Sequence, residues 1–376
     1  METFSITSQT DLIGIVPHVL GYPPADSLVV LTTARAADGA RLLGVCMRLD
    51  FDLVTAAAVD RATASALAGS LCEADTVECA YPILYSDALA EALGHGSGPA
   101  EPGAAEILRT GVERVCDALQ AAGLEVSAPV WVGRGLRAGL CDGGAAEALP
   151  GLSAAVASHM AEQGSRVSED FGHAAALPEP PAQLLAEVAV LRAASPDALA
   201  LLAAVLSDAV AVYDVARSAP GSARPVPSAA AVLAFEELTD DLWVRDLLQM
   251  VLGFEHPQLG PERLRSMTAE EFTVEIVEAE DRIALAAQMA GLSEVRPDMQ
   301  LAEAGVDYLR AVAGAVALSA LPAVLAMLAW AEWARARHSF AAHYAQAALA
   351  LDPDYSLAQL MLRASEAGMP PAWMRG

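Results

Sequence analysis

The chain has 376 residues, more than one hydrophobic core normally serves, so two domains are expected. Apolar residues make up 55 % and aromatics only 5 %, with alanine the commonest type, which favours closely packed helices over a sandwich of bulky strands. The formal charge of −26, from 48 acidic residues and 22 basic ones that are all arginine, disfavours counterion-release binding to DNA or RNA; a nucleotide or anionic lipid would need a local arginine pocket working against the overall field.

The opening METFSITSQTDL has neither a basic nor an apolar signal region, so export is not expected and the cytoplasm is the expected compartment. Cys46, Cys72, Cys79, Cys116 and Cys141 show no CxxC or tight spacing, the pattern of small buried thiols in a reducing environment. Ser27 to Ala34 and Leu42 to Asp50 are β-rich runs joined through Ala37, Asp38 and Gly39, and an Asp-Gly pair between apolar runs predicts a hairpin. Leu53 to Glu73 has helical spacing, Val77 to Tyr85 predicts a third strand, and Gly94 to Gly103 a loop. Ala104 to Ala122 predicts a helix closed by Gly123, Val126 to Val132 a fourth strand, and Leu136 to Cys141 another. This order implies a layered α/β domain with a mixed sheet over residues 1–175.

From residue 176 every long segment has helical period, so residues 176–376 predict an all-α domain. Pro178, Pro180 and Pro181 mark the linker, and Ser218 to Ser228 a second break. Thr239 is the expected N-cap of the helix carrying Trp243, Leu247, Leu248 and Val251, and Thr268 with Glu271 makes a capping-box pattern. Ala311 to Trp330 carries no charge over a membrane-spanning length. Its alanines and glycines contribute little to insertion, and Pro322 interrupts it, so a buried helix pair broken near Pro322 is expected.

Tyr344, Ala348, Leu349, Leu351, Asp352, Pro353, Tyr355 and Ala358 resemble the second half of a tetratricopeptide unit, placed near 321–365. One such unit cannot bury its own face, so it either closes the core as a helical hairpin or builds a peptide- or protein-binding groove. A second resemblance spans both halves. The run VPHVLGYPPADSLVVL followed by MRLD, then LTDDLWVRD, LAWAEWARARHSFAAHYAQAALALDPDYSLAQLML and GMPPAWM, is similar in co-linear order to the actinobacterial "domain of unknown function 4192" family. That resemblance implies an Arg followed by an aromatic pair and a Cys in the hairpin after the fourth strand, where this chain reads Gly133-Arg134-Gly135-Leu136. It implies an architecture and carries no activity.

Three constellations could carry function. A hairpin turn at Asp38-Gly39 puts residues whose numbers sum to about 77 opposite each other, so Asp50 falls beside Ser27 and Asp26 with Arg48 one step inside, near the Tyr22-Pro23-Pro24 turn. This grouping is either an anion-recognition or acid/base pocket, or a clamp fixing the hairpin to the first helix. Tyr85, Ser86 and Asp87 end the third strand, where α/β sheets bind ligands, although Ser86 or Asp87 also suits a helix cap. Trp330, Trp333 and Trp373 line either a core or an exposed apolar patch for a protein partner.

Other motifs fail on geometry. Gly133, Gly135 and Gly139 follow a strand but do not open a helix, as a dinucleotide turn requires. His338 and His343 stand about 140° apart on a helix, and Glu271, Glu275 and Glu278 have no histidine partner, so no metal or cofactor is expected. The expected function is a non-catalytic ligand- or protein-binding module. The alternative is a hydrolase or transferase acting on a small anionic substrate, with Asp26 or Asp50 as base and Arg48 as anchor. An enzyme requires Asp26, Arg48, Asp50 and Tyr85 to line one open pocket.

Overall fold

The computed structural model describes residues 8–35, 41–72, 77–95, 101–141, 145–218, 224–254, 260–266, 268–269, 271 and 279–374. The expected Asp38-Gly39 turn, Gly96 to Gly98, Asp142 to Gly144, Glu275 and Glu278 lie outside them. The chain divides into two compact units, Met1–Ala174 and Ala175–Gly376.

The first unit is built on a mixed sheet of β1 (Ser27–Arg35), β2 (Arg41–Asp50), β3 (Val77–Tyr85), β4 (Glu125–Val126), β5 (Val130–Gly133), β6 (Leu136–Gly139) and β7 (Glu147–Ala148). The strand order is β2-β1-β3-β5-β6-β7, with β4 also on β3. β3 pairs parallel with β4 and β5, and every other pairing is antiparallel. The fourth strand expected over 126–132 is split into β4 and β5, because Pro129 has no N–H to give to β3.

Helices cover both faces. α1 (Gln9–Leu20) packs Ile13, Ile15 and Val16 against Val29, Leu31, Ile83 and Val132. On the other face α2 (Leu53–Ala58), α3 (Arg61–Cys72) and, after the short α4 (Asp87–Ala92), α5 (Ala104–Ala121) enclose Leu28, Val30, Leu84 and Trp131. Burial on both sides explains the unbroken apolar run Leu28 to Leu31 in the central strand β1. The single helix expected over Leu53 to Glu73 is two. Asp60 accepts a hydrogen bond from the Thr63 N–H at 2.8 Å and starts the second one, leaving Val59 extended between them. α6 (Ala154–Glu162) and α7 (Phe171–Ala175) complete the elements up to the division.

No strand follows Ala148 among the described residues. The second unit comprises α8 (Ala182–Ala194), α9 (Ala198–Ala216), α10 (Ala229–Leu238), α11 (Leu242–Gly253), α12 (Pro261–Ser266), α13 (Ala279–Met289), α14 (Met299–Ala315), α15 (Leu321–Ala334), α16 (His338–Leu351) and α17 (Ser356–Glu366). Asp241 caps α11, accepting from the Trp243 and Val244 N–H groups at 2.9 and 3.2 Å. Thr239 instead ends α10, its hydroxyl donating back to the Phe235 carbonyl at 2.6 Å. Both lie in a Thr-Asp-Asp run, and the carboxylate nearer the helix takes the cap. Thr268 and Glu271 do make their reciprocal pair.

The uncharged stretch is two helices: α14 stops at Ala315, and Pro322 sits in the first turn of α15, where its missing N–H costs nothing. Twelve of the fourteen residues of α15 are buried, so it is a central helix wrapped by its neighbours. Ala341, Ala345 and Ala348 of α16 are fully buried, small enough for close helix approach. Among the described residues one helix, α9, is long and apolar enough to cross a membrane. Leu201, Leu202, Val205, Leu206 and Val212 of α9 are buried within the unit, and its Asp208 accepts hydrogen bonds from Tyr308 and from the Ser228 N–H.

Candidate functional site

Because β1 runs against β2 and β3 while β3 and β5 run together, the start of β1 and the ends of β2, β3 and β5 share one end of the sheet. Ser27 faces Asp50 on one side and Tyr85 on the other, and Arg48 faces Val29. A bulge between Leu31 and Thr33 shifts the register farther along, without effect at this end.

Arg48 and Asp50, two apart on one face, form an ion pair of 2.7 Å in which Asp50 is 77 % exposed and Arg48 only 16 %. Asp26 takes φ +42 and its carbonyl accepts from the Phe51 N–H at 2.7 Å, tying the chain before β1 to the chain after β2. Its carboxyl lies above the usual aspartate range, held there by partial burial and then by the Asp87 and Asp52 charges. Asp52 caps α2 through the Thr55 N–H at 2.7 Å, and that hydrogen bond lowers its own pKa.

Tyr85 does not line an open pocket. It is 7 % exposed, and its hydroxyl donates to the Ile13 carbonyl of α1 at 3.2 Å, so burial pushes the phenol well above its ordinary pKa. The requirement for an open four-residue pocket therefore fails at Tyr85, because the face of β3 that carries it is covered by α1.

Ser86 is the N-cap of α4, accepting from the Leu89 N–H at 3.2 Å. Asp87 uses its carboxylate on the Arg134 N–H at 2.8 Å, and the Arg134 guanidinium pairs with Glu91. Gly133-Arg134-Gly135-Leu136 is thus a tight β5–β6 turn, with φ +50 at Arg134 and +70 at Gly135, docked on the start of α4. Gly133 is required by close approach: a Cβ there would overlap the Ser86 carbonyl oxygen. The glycines serve a hairpin and not a phosphate cradle.

Trp330, Trp333 and Trp373 are 1 %, 4 % and 1 % exposed, so of the two alternatives they line a core and not an exposed apolar patch. Their indole N–H groups donate to the carbonyls of Met289, Met369 and Ala334 at 2.9, 2.8 and 3.0 Å. Trp373 meets Phe254 and Trp333 edge-on at 5.5 and 6.1 Å between ring centres.

Two buried carboxylates escape a reading by motif. Asp11 is 4 % exposed and accepts from Ser8 Oγ and from the Ser153 N–H at 2.9 and 3.0 Å; the Ser153 bonds above all lower its pKa. Ser8 three residues ahead of an acid and an apolar run is its visible signal. Glu332, 1 % exposed, pairs with Arg335 at 3.2 Å; a lone acid inside the apolar α15 is its signal. Among the described residues no group of three or more His, Cys, Asp or Glu side chains is placed to share a metal ion.

No curated protein and no solved structure matches the chain. The family model described as "Domain of unknown function (DUF4192)" matches residues 10–372, across both units, and the chain belongs to that family.

Proposed function

We propose that this protein is a non-catalytic binding module, an α/β unit joined to a tetratricopeptide-like helical scaffold, which engages a protein partner or a small anionic ligand. The observation that supports this reading is the use of the strand-end polar groups by the fold itself. Arg48 is paired with Asp50, Asp87 holds the Arg134 turn, and Tyr85 is closed against Ile13. An acid/base site keeps such groups facing a substrate. The short α15–α16 link and the buried alanines of α16 favour the tetratricopeptide-like description. The unoxidised thiols of Cys46 and Cys116 favour a reducing cytoplasm, in an actinobacterial host as the sequence resemblance implies.

A second reading rests on Asp26, whose raised pKa beside Asp52 and Asp87 suits a general base or acid for a hydrolase or transferase. The two separate in one experiment. Purified protein and its Asp26→Asn variant are assayed with p-nitrophenyl acetate and p-nitrophenyl phosphate, and the parent is also recovered from its native host for mass spectrometry of co-purifying molecules. The binding reading expects no Asp26-dependent turnover and a stoichiometric companion. Turnover abolished by Asp26→Asn overturns it.

A further inference from the structure

Within the helical unit, α14 forms the floor of a cleft of about 170 Å³. Asp307, Arg310 and Ala311 project from that helix, and two proline-bearing segments make the walls: Pro178 to Pro181, and Pro225 to Pro227. Gly314 lets the first wall lie directly on the helix, since a Cβ there would overlap the Pro178 carbonyl oxygen. Proline fixes φ and carries no N–H, so the walls are stiff, apolar and poor in donors. The strong donors in the lining are therefore the guanidinium groups of Arg224 and Arg310.

These two groups are in different states. Arg224 Nε lies 3.3 Å from the Asp307 carboxylate, which occupies it. Arg310 donates to the Ala176 carbonyl, and among the described residues it has no carboxylate within ion-pair distance. A guanidinium has five N–H donors, so one carbonyl leaves most of the fork unused. Glu179, the other acid in the lining, is exposed, where water screens its charge. In a chain with 26 more acidic than basic residues, this is the local arginine pocket that an anionic ligand would require.

We propose that the cleft binds a small organic anion with a flat apolar body, its carboxylate on the free edge of Arg310 and its ring between the proline walls. The volume sets the size. Cavities for drug-sized ligands run from about 300 to 1,000 Å³, so this one suits a single ring bearing one acid group. Planar pairing of carboxylate with guanidinium selects the charge, and stiff proline walls select a rigid face. The cleft is made entirely of residues of the helical unit and shares none with the strand-end cluster; the proposal rests on the anionic-ligand arm of the binding reading above, and its failure leaves the protein-partner arm standing.

Isothermal titration of the full chain with benzoate, and with benzamide as the uncharged analogue of the same shape, tests the assignment. Benzoate is expected to bind saturably at one site, with benzamide roughly tenfold or more weaker, the loss that follows removal of a charge-assisted hydrogen bond. Arg310→Gln, which retains a donor for the Ala176 carbonyl, is expected to weaken benzoate by at least about tenfold. Ala311→Met fills the cleft and leaves the guanidinium in place, so it is likewise expected to weaken benzoate by at least about tenfold, with the thermal melt reporting an intact fold. Absence of benzoate binding by the parent overturns the proposal, as does equal binding by both folded variants.

Discussion

Trp373→Ala measures whether the tryptophans are core or surface. The ring is 1 % exposed and packs edge-on against Phe254 and Trp333, and its N–H is the donor for the Ala334 carbonyl at 3.0 Å. Truncating a buried tryptophan to alanine costs about 3–5 kcal/mol, and a carbonyl stripped of its donor in the interior adds about 1–3 kcal/mol if no water reaches it. The expected loss is therefore at least about 4 kcal/mol, against a total domain stability of about 5–15 kcal/mol. Trp373→Phe keeps most of the ring and loses the donor, with an expected cost of about 1–2 kcal/mol. Guanidinium unfolding of both variants, followed by helical circular dichroism, reads the difference. A Trp373→Ala protein within about 0.5 kcal/mol of the parent behaves as a surface substitution and refutes the packed cluster.

Tyr85→Phe removes one buried hydrogen bond to Ile13 and is expected to cost about 1 kcal/mol in denaturant unfolding; no loss means that bond is not made in solution. Gly133→Ala drives a Cβ into the Ser86 carbonyl oxygen and is expected to destabilise the first unit by about 1–3 kcal/mol, whereas Gly135→Asn, at φ +70, is expected to be nearly neutral. A reversed order of these two contradicts the docked turn. Asp208 gives a pH dependence: burial holds its carboxyl above the ordinary value despite hydrogen bonds from Ser228 and Tyr308. Between the unfolded value of about 3.9 and the raised folded one the native state binds more protons, so stability from this group is full below that interval and is lost as pH rises through it. Asp208→Asn is expected to flatten that part of the melting-against-pH curve, and an unchanged slope contradicts the assignment.

The elements themselves were largely legible because their signals are local. Apolar runs bounded by turn residues marked β1, β2 and β3, and helical period marked everything after Pro178. The pairing of Ser27 with Asp50 followed from the hairpin register alone. Local signals also misled where two residues of similar chemistry competed. Thr239 and Asp241 are both good caps, and only the final geometry of α11 selects the aspartate. Pro129 carried the interruption of the fourth strand, but an apolar run on either side hid it.

The candidate site was legible as an address and not as an environment. The register brought Asp26, Asp50 and Arg48 to one end, yet whether Tyr85 opens to water depends on α1, which lies some seventy residues away in sequence. Trp330 and Trp333 share a helix that is apolar all round, a composition that signals burial as strongly as docking, and the contacts of Phe254 and Trp373 decide between them. In the sequence Arg310 merely precedes the uncharged stretch that begins at Ala311. Its place in the cleft depends on proline segments about 85 and 130 residues earlier, a separation no local pattern encodes.

The functional reading turns on Tyr85 at the strand ends and the three clustered tryptophans being sealed by the fold. Hydroxyl-radical footprinting of the native chain, read residue by residue by mass spectrometry, tests it directly. Tyr85, Trp330, Trp333 and Trp373 are expected to stay protected until the chain unfolds, while the half-open Trp243 and the exposed Met369 label promptly. Labelling of Tyr85 or of the three indoles in the folded protein at the pace of Trp243 would contradict the account.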